Sequence, residues 1–287
     1  MKNSVLLLLW LLSCCSRIDH TVVDDTGISY SFFVAGHVYG TPGRLNSGIY
    51  PLFKDKFDMI NNDTTIQFGI FTGDIVKDGS KEEWEAVKND INGLSMNVYF
   101  AMGNHDIDIK NIFLDRYGNT YYDFIYQDDI YFILDPNIDR WNISGEQLDF
   151  LKKELSEIDP AVKNVFVFFH QLLWWSSDNQ YKNVKPNSFA GRADSINFWS
   201  TVEPLFRQLP CNVIMFAGDV GATNSSADYM YDSYDNITLI ASGMGEGIGD
   251  NFLVVDVMSE GSVTYRLISL NCMDINCLGK LEDYILP

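Results

Sequence analysis

The chain has 287 residues, 46% of them hydrophobic, enough to fill a large core as one big domain or two small ones. Its 39 acidic side chains outnumber 20 basic ones, giving a formal net charge of −19. That balance argues against nucleic acid or an anionic membrane surface as partner, and any phosphate chemistry then needs a local cation.

Lys2 precedes the apolar run Val5–Leu12, which is followed by Ser13-Cys14-Cys15. The run is too short to span a bilayer as a stable helix and reads as an export signal. Its Leu-Leu-Ser-Cys ending resembles a bacterial lipoprotein signal, with cleavage before Cys14 and lipid on that cysteine; an ordinary secretory signal cut nearby is the alternative. The expected organisation is a signal peptide over 1–13, a polar tether over 14–28 and a single domain over 29–287. The protein would meet the membrane only through an N-terminal lipid anchor and would face the periplasm or the cell surface. In an oxidising periplasm Cys272 and Cys277 could pair, a choice the spacing leaves open, while Cys211 reads as core.

Tyr30–Ala35 is the first predicted strand and ends at Gly36-His37. An irregular loop with Gly40, Pro42, Gly43 and Gly48 leads to a predicted helix over Leu52–Ile60. The apolar run Ile66–Phe71 follows and ends in Thr72-Gly73-Asp74. Ser80-Lys81-Glu82-Glu83 is a capping box, opening a helix with Trp84, Val87 and Ile91 on one face. Asn97–Met102 is the third strand and runs into Gly103-Asn104-His105-Asp106. A helical stretch around Ile109–Tyr117 precedes two runs, Tyr121–Tyr126 and Ile130–Leu134, which the Asp128-Asp129 pair joins as a hairpin.

Ser144-Gly145-Glu146-Gln147 is a second capping box, heading a helix with Leu148, Leu151, Leu155 and Ile158 on its apolar face. Val165–Phe169 is a fully apolar strand ending in His170-Gln171. The stretch 176–194 is polar and aperiodic. Ile196, Trp199, Val202 and Phe206 mark another helix, and Val213–Ala217 then runs into Gly218-Asp219-Val220-Gly221. Strands near Thr238–Ala241, Phe252–Val257 and Val263–Ile268 close the chain. Strands alternating with helices in the middle, and tight turns near the end, predict a layered α/β architecture with mixed sheets.

Five apolar runs thus end in a small residue and a potential ligand: His37, Asp74, Asn104-His105, His170 and Asp219. Continuous rather than alternating runs indicate strands covered on both faces. In such folds functional residues gather at the carboxyl ends of strands. The chain has four histidines; three stand at these ends and the fourth, His20, in the tether. Together these residues predict one shared site.

The order Gly-Asp, then Gly-Asn-His-Asp, then a strand-terminal His resembles the calcineurin-like metallophosphoesterase family. Gly103-Asn104-His105-Asp106 is its most specific element, and the motif matches span residues 35–221. The resemblance implies a four-layer αββα sandwich with two mixed β-sheets, hydrolysing phosphate esters with two bridged metal ions. Carried over residue by residue, it gives Asp74 the bridging carboxylate position and makes Asn104 and His170 ligands of the second metal. His105 becomes the catalytic histidine beside the leaving-group oxygen, and His37 the histidine of the first Asp-x-His motif. Three positions depart from the family pattern: Ala35 replaces that motif's aspartate, and the closing Gly-His-x-His reads Gly218-Asp219-Val220-Gly221.

The first metal site would draw on Ala35, His37, Asp74 and Gly221, and retains two ligands. The second would draw on Asp74, Asn104, His170 and Asp219, all able to coordinate. An anionic oxygen from Asp219 favours harder ions, Mn²⁺ or Mg²⁺, with Fe or Zn as alternatives. One ion is therefore expected, serving a phosphoesterase-like hydrolase outside the cytoplasm that acts on a small phosphate ester or phosphorylated glycan. The alternative is a catalytically silent member that binds a cell-surface glycan or phosphorylated metabolite in the former cleft. Arg44, Arg192 and Trp174 are candidate substrate contacts: the arginines for a phosphate, Trp174 with Trp175 as a stacking platform. Asp106 is expected to orient neighbouring groups.

Overall fold

The computed structural model describes residues 27–43, 47–107, 112–245 and 247–287. The expected signal peptide, nearly all of the tether and Arg44 lie outside the described residues.

Strand β1 (Ile28–Ala35) is followed by two short helices, α1 (Pro51–Lys54) and α2 (Phe57–Asn62), where the sequence predicts one. The break has a local cause: the Lys56 N–H bonds the carbonyl of Phe53 at 2.9 Å, a three-residue closure that tightens the turn. Strand β2 (Ile66–Thr72) precedes helix α3 (Lys81–Ile91), where Ser80 accepts the Glu83 N–H at 3.2 Å, as the capping box predicts. Strand β3 (Asn97–Ala101) and helix α4 (Ile112–Tyr117) come next. The predicted hairpin is β4 (Tyr122–Tyr126) and β5 (Asp129–Ile133).

Helix α5 (Gly145–Ser156) forms where expected, but its capping box does not. The Ser144 hydroxyl donates to Asp139, and Gln147 is drawn away to the backbone of Asp135, accepting its N–H at 2.7 Å and donating to its carbonyl at 3.0 Å. Strand β6 (Asn164–Phe168) leads through the long irregular connection to a π-helical turn, Phe198–Val202, continued by α6 (Glu203–Arg207). Strands β7 (Asn212–Ala217), β8 (Tyr229–Tyr234), β9 (Ile237–Ser242), β10 (Asn251–Met258) and β11 (Val263–Ser269) complete the chain.

One sheet has the order β11-β10-β1-β2-β3 and the other β4-β5-β6-β7-β9-β8. Both are mixed. β1, β2 and β3 run parallel, as do β5, β6, β7 and β9, while the remaining strands pair antiparallel. Three cores separate four layers. Alternate residues of β1 and β2 divide between them: Phe32 and Phe68 face the other sheet and stack at 5.4 Å, while Phe33 and Phe71 face the helices α1–α4. The β6 and β7 residues Val165, Val167, Val213 and Met215 likewise pack beneath α5 and α6. This is the αββα sandwich that the resemblance implies. At about 1.5–3 kcal/mol for each fully buried large apolar side chain, the two-sided burial of β1, β2, β6 and β7 fixes the rim on which these strands end.

Cys272 and Cys277 are disulfide-bonded, and Cys211 is free and buried. Among the described residues, no helix is long and apolar enough to cross a membrane.

Candidate metal centre

The parallel strands of both sheets end at one rim, and the two rims touch. His170, past the end of β6, holds the Gly218 and Asp219 N–H groups on its carbonyl at 2.9 and 3.0 Å, and its Nδ1 donates to the Thr72 carbonyl of β2 at 2.9 Å. The Gly73 carbonyl accepts the His37 N–H at 3.1 Å, closing the rim toward β1. Approaches this close leave no space for side chains: a Cβ on Gly103 would collide with the backbone nitrogen of Asp74. Asp74 and His37 themselves sit at φ +50° and +54°, a left-handed conformation that ordinary residues seldom adopt outside turns and functional sites.

Asp74, His170 and Asp219, all buried, bring one ligand atom each to within 4.8 Å of one another. His170 Nε2 lies 3.3 Å from Asp74 Oδ1 and 3.8 Å from Asp219 Oδ1. Oxygen and nitrogen ligands bind a divalent ion at about 2.0–2.2 Å, so two of them stand at most about 4.4 Å apart, and both His170 spacings fit one ion. The hydrogen bonding points the same way. His170 Nε2 and both carboxylate oxygens of Asp219 are buried without a well-formed hydrogen bond, left with the ion-pair contacts inside the cluster, a costly arrangement in a metal-free core. Because Nδ1 gives its proton to Thr72, a neutral His170 presents the Nε2 lone pair to the cluster, the tautomer a metal needs.

Electrostatics follow from the crowding. Burial pushes Asp219 up to about 8, reinforced by Asp74 against the opposing pull of His170. Burial alone would lower His170, but the Asp74 carboxylate overrides it and pushes the imidazole up to about 10. Burial would likewise raise Asp74, yet the histidines around it, His170 foremost, hold it well below the usual carboxylate range. In the metal-free protein the cluster therefore stores protons on His170 and Asp219.

Asn104 sits half-buried in the turn after β3, between Gly103 and His105. The turn is anchored to Asp74: the His105 N–H donates to Asp74 Oδ1 at 3.1 Å. Asp106 holds it from beneath, accepting the Ile75, Val76 and Gly103 N–H groups at 2.7, 2.9 and 2.7 Å, the orienting role expected of it. His105 donates Nδ1 to the Lys77 carbonyl at 2.6 Å, so Nε2 remains available to a substrate.

The opposite half of the rim is different. His37 is buried, with Nδ1 donating to the Met244 carbonyl at 2.9 Å and Nε2 3.7 Å from Asp74 Oδ2. Burial lowers it to about 4, so it is neutral. Ala35 belongs to the apolar core under α1–α4. Gly221 has φ +80°, and a Cβ there would lie 2.6 Å from the Gly243 carbonyl carbon.

The sequence reading missed Tyr39, whose ring lies between His37 and His105, at 4.3 and 5.3 Å between centroids. Its nearness to His37 in the chain was the one available signal. Two expected substrate contacts are corrected. Trp174 is fully buried with its indole N–H on the Met230 sulfur at 3.1 Å, because the turn after His170 folds it into the core. Arg192 is committed elsewhere: its guanidinium lies between the rings of Trp141 and Trp175, at 5.8 and 5.2 Å, and donates to the carbonyls of Ala193 and Trp175.

Comparison with known proteins agrees with the fold and the motifs. Among solved structures, the purple acid phosphatase PPD1 from yellow lupin (Lupinus luteus) seeds superposes with a TM-score of 0.60 at 15% identity, covering 86% of this chain and 52% of that one. The chain thus spans about half the length of the lupin enzyme. A single mutant of Vps29 from Entamoeba histolytica matches at a TM-score of 0.37 and 11% identity, over 84% of this chain and 99% of that one. No curated protein sequence is a significant match. The family profile for calcineurin-like phosphoesterases matches residues 22–243, which takes in every strand from β1 to β9 and all the residues of the cluster, and the chain belongs to that family.

Proposed function

We propose that the protein is a metal-dependent hydrolase of phosphate esters working with one divalent ion, held by Asp74, His170 and Asp219 with Asn104 as the fourth ligand. The observation that carries this reading is the buried cluster with its unpaired His170 Nε2 and Asp219 oxygens. When bound, the ion supplies a Lewis acid that polarises a phosphoryl oxygen and acidifies water. The protein's own contributions are distinct. His105 Nε2 hydrogen-bonds the leaving-group oxygen and gives it a proton. The Lys77 carbonyl fixes that ring, and Asp106 fixes the turn that carries it. An apolar groove of about 350 Å³ beside this turn, lined in part by Met102, Ile107, Leu114 and Ile138, takes the alcohol portion of the ester.

We further propose that the domain acts outside the cytoplasm, carried there by its N-terminal signal and tethered by a lipid. The substrate is a small phosphate ester or phosphorylated glycan, and Mn²⁺ or Mg²⁺ is the favoured ion because two of the three clustered ligands are carboxylates. The test is a Mn²⁺ titration of the purified protein followed by assay on p-nitrophenyl phosphate and bis(p-nitrophenyl) phosphate. Turnover should appear with metal, vanish in Asp74→Asn, and fall about 100-fold in His105→Ala with metal affinity unchanged. The incomplete first half of the rim favours a second reading, a silent binding protein; metal binding without turnover of either ester would establish it.

A further inference from the structure

A second concave site lies away from the metal cluster, on the outer face of the sheet that ends in β8. It is a cavity of about 460 Å³ lined by Ser176, Asp178, Asn179, Gln180, Tyr181, Trp199 and Tyr234. That is within the range of small-molecule sites. Tyr234 pairs with Ile237 at the start of β9, whereas the metal cluster lies beyond the far ends of β6 and β7. At about 3.3 Å per residue, the five steps from Ile237 to Ser242 set the Tyr234 edge of the cavity roughly 17 Å from the rim.

Trp199 is the unusual residue. It is 37% exposed, yet it is not loose. Its indole N–H donates to the Trp174 carbonyl at 3.0 Å, and Asn179 Nδ2 donates to the same oxygen at 2.8 Å. Phe198 packs edge-on against it at 5.0 Å. The Tyr181 ring lies nearly parallel to it, at 6° and 5.8 Å, and the Tyr234 ring is tilted by 36° at 6.3 Å. Below them Asp232 Oδ2 accepts the Tyr181 hydroxyl at 2.6 Å and Gln180 Nε2 at 2.9 Å. Trp199, backed by the buried Tyr181 ring and flanked by Tyr234, forms a rigid shelf, and Asp178 and Gln180 stand exposed at its rim as hydrogen-bond acceptors.

We propose that this shelf is a binding site for a neutral saccharide, one pyranose ring laying its apolar C–H face on Trp199 and donating hydroxyls to Asp178 and Gln180. A locked aromatic platform with a polar handle offers stacking area at little entropic cost. The acidic rim, on a chain of net charge −19, disfavours a phosphorylated or otherwise anionic ligand. A methylated ammonium is disfavoured by geometry. Tight capture needs a cage with ring faces on opposite sides, each about 3.5–4 Å away; near-parallel rings with centroids 5.8 Å apart leave no room for one, and a single open Trp199 face remains. The site does not depend on the hydrolase reading, and each stands if the other falls.

Calorimetric titration of the folded protein with chitobiose, cellobiose and maltotriose tests the proposal, with choline chloride and inorganic phosphate as competing chemistries. At least one saccharide should saturate. Trp199→Ala should weaken it roughly tenfold or more, Trp199→Phe less, with Mn²⁺ binding unchanged in both. Gln180→Ala, an exposed rim substitution, provides the same reading should Trp199→Ala fail to fold. Saturation by none of the three saccharides, binding indifferent to both Trp199→Ala and Gln180→Ala, or binding of choline or phosphate alone would overturn it.

Discussion

The two halves of the strand-end rim share Asp74 and differ in almost everything else. On the side of β6 and β7, His170 and Asp219 crowd Asp74 with buried atoms that have no hydrogen-bond partner. On the side of β1, His37 is neutral and bonded to a carbonyl, Ala35 is absorbed into the core, and Gly221 is pressed against backbone. One half keeps unsatisfied polar groups, which a fold tolerates where they are used; the other has satisfied or removed them. Where the resemblance implies two ions, one half of the rim is electrostatically primed and the other packed shut.

The largest effect expected from this contrast is on metal affinity. Asp219→Ala or His170→Ala should weaken Mn²⁺ binding about 1000-fold, roughly 4 kcal/mol, whereas His37→Ala should change it less than about threefold. Calorimetry on the three variants decides it. Equal losses on both sides would mean that the halves cooperate and that the apparent closure of the first is misleading.

The sequence carried this contrast a long way, because the fold's rim is written in runs that end alike. β1, β2, β6 and β7 are largely apolar stretches buried on both faces, β3 is apolar toward its end, and such runs are unmistakable. The residues just past their ends then had to share a site. Less legible were features decided by tertiary contacts. β8 was not expected, since Tyr229–Tyr234 includes Asp232 and Ser233 and lies on a sheet edge where polar residues are tolerated. The spacing of Ile196, Trp199, Val202 and Phe206 predicts a helix. Instead the Val202 N–H reaches back five residues to the Asn197 carbonyl, and this wider turn buries Phe198 and Val202 while swinging Trp199 outward. Pro204, which has no N–H for the Ser200 carbonyl, favours that local irregularity. Trp174, a candidate substrate contact, thus lies in the core, while Trp199 stands at the surface.

A somewhat smaller effect tests whether the first half is closed by packing or only by the missing ligand. Gly221→His, which restores the family's residue, should destabilise the protein by about 3 kcal/mol and fail to add a second ion. The cause is a left-handed φ of +80° combined with the Gly243 and Met244 backbone, 2.6 and 2.7 Å from any Cβ. Thermal unfolding and metal stoichiometry by elemental analysis are the measurements. A stable variant holding two ions would show that the rim kept its room and lost only a ligand.

Taken per pH unit, the smallest expected effect is a dependence on pH that separates the halves by their protons. His170 is pushed up to about 10 and Asp219 to about 8, so near neutral pH both hold protons in the metal-free protein, and an ion must displace them. His37, lowered to about 4, is already neutral at that pH and releases nothing. The sign is therefore fixed: affinity rises with pH. Below pH 8 nearly two protons leave per ion, and apparent Mn²⁺ affinity should climb between tenfold and 100-fold per pH unit. Between pH 8 and 10 only His170 still holds its proton, and the slope should fall to about tenfold per unit. Calorimetry in buffers of different ionisation enthalpy counts the protons directly. Affinity that stays flat from pH 6 to 8 would place the ion away from His170 and Asp219, and with it the distinction between a primed half and a closed one would fail.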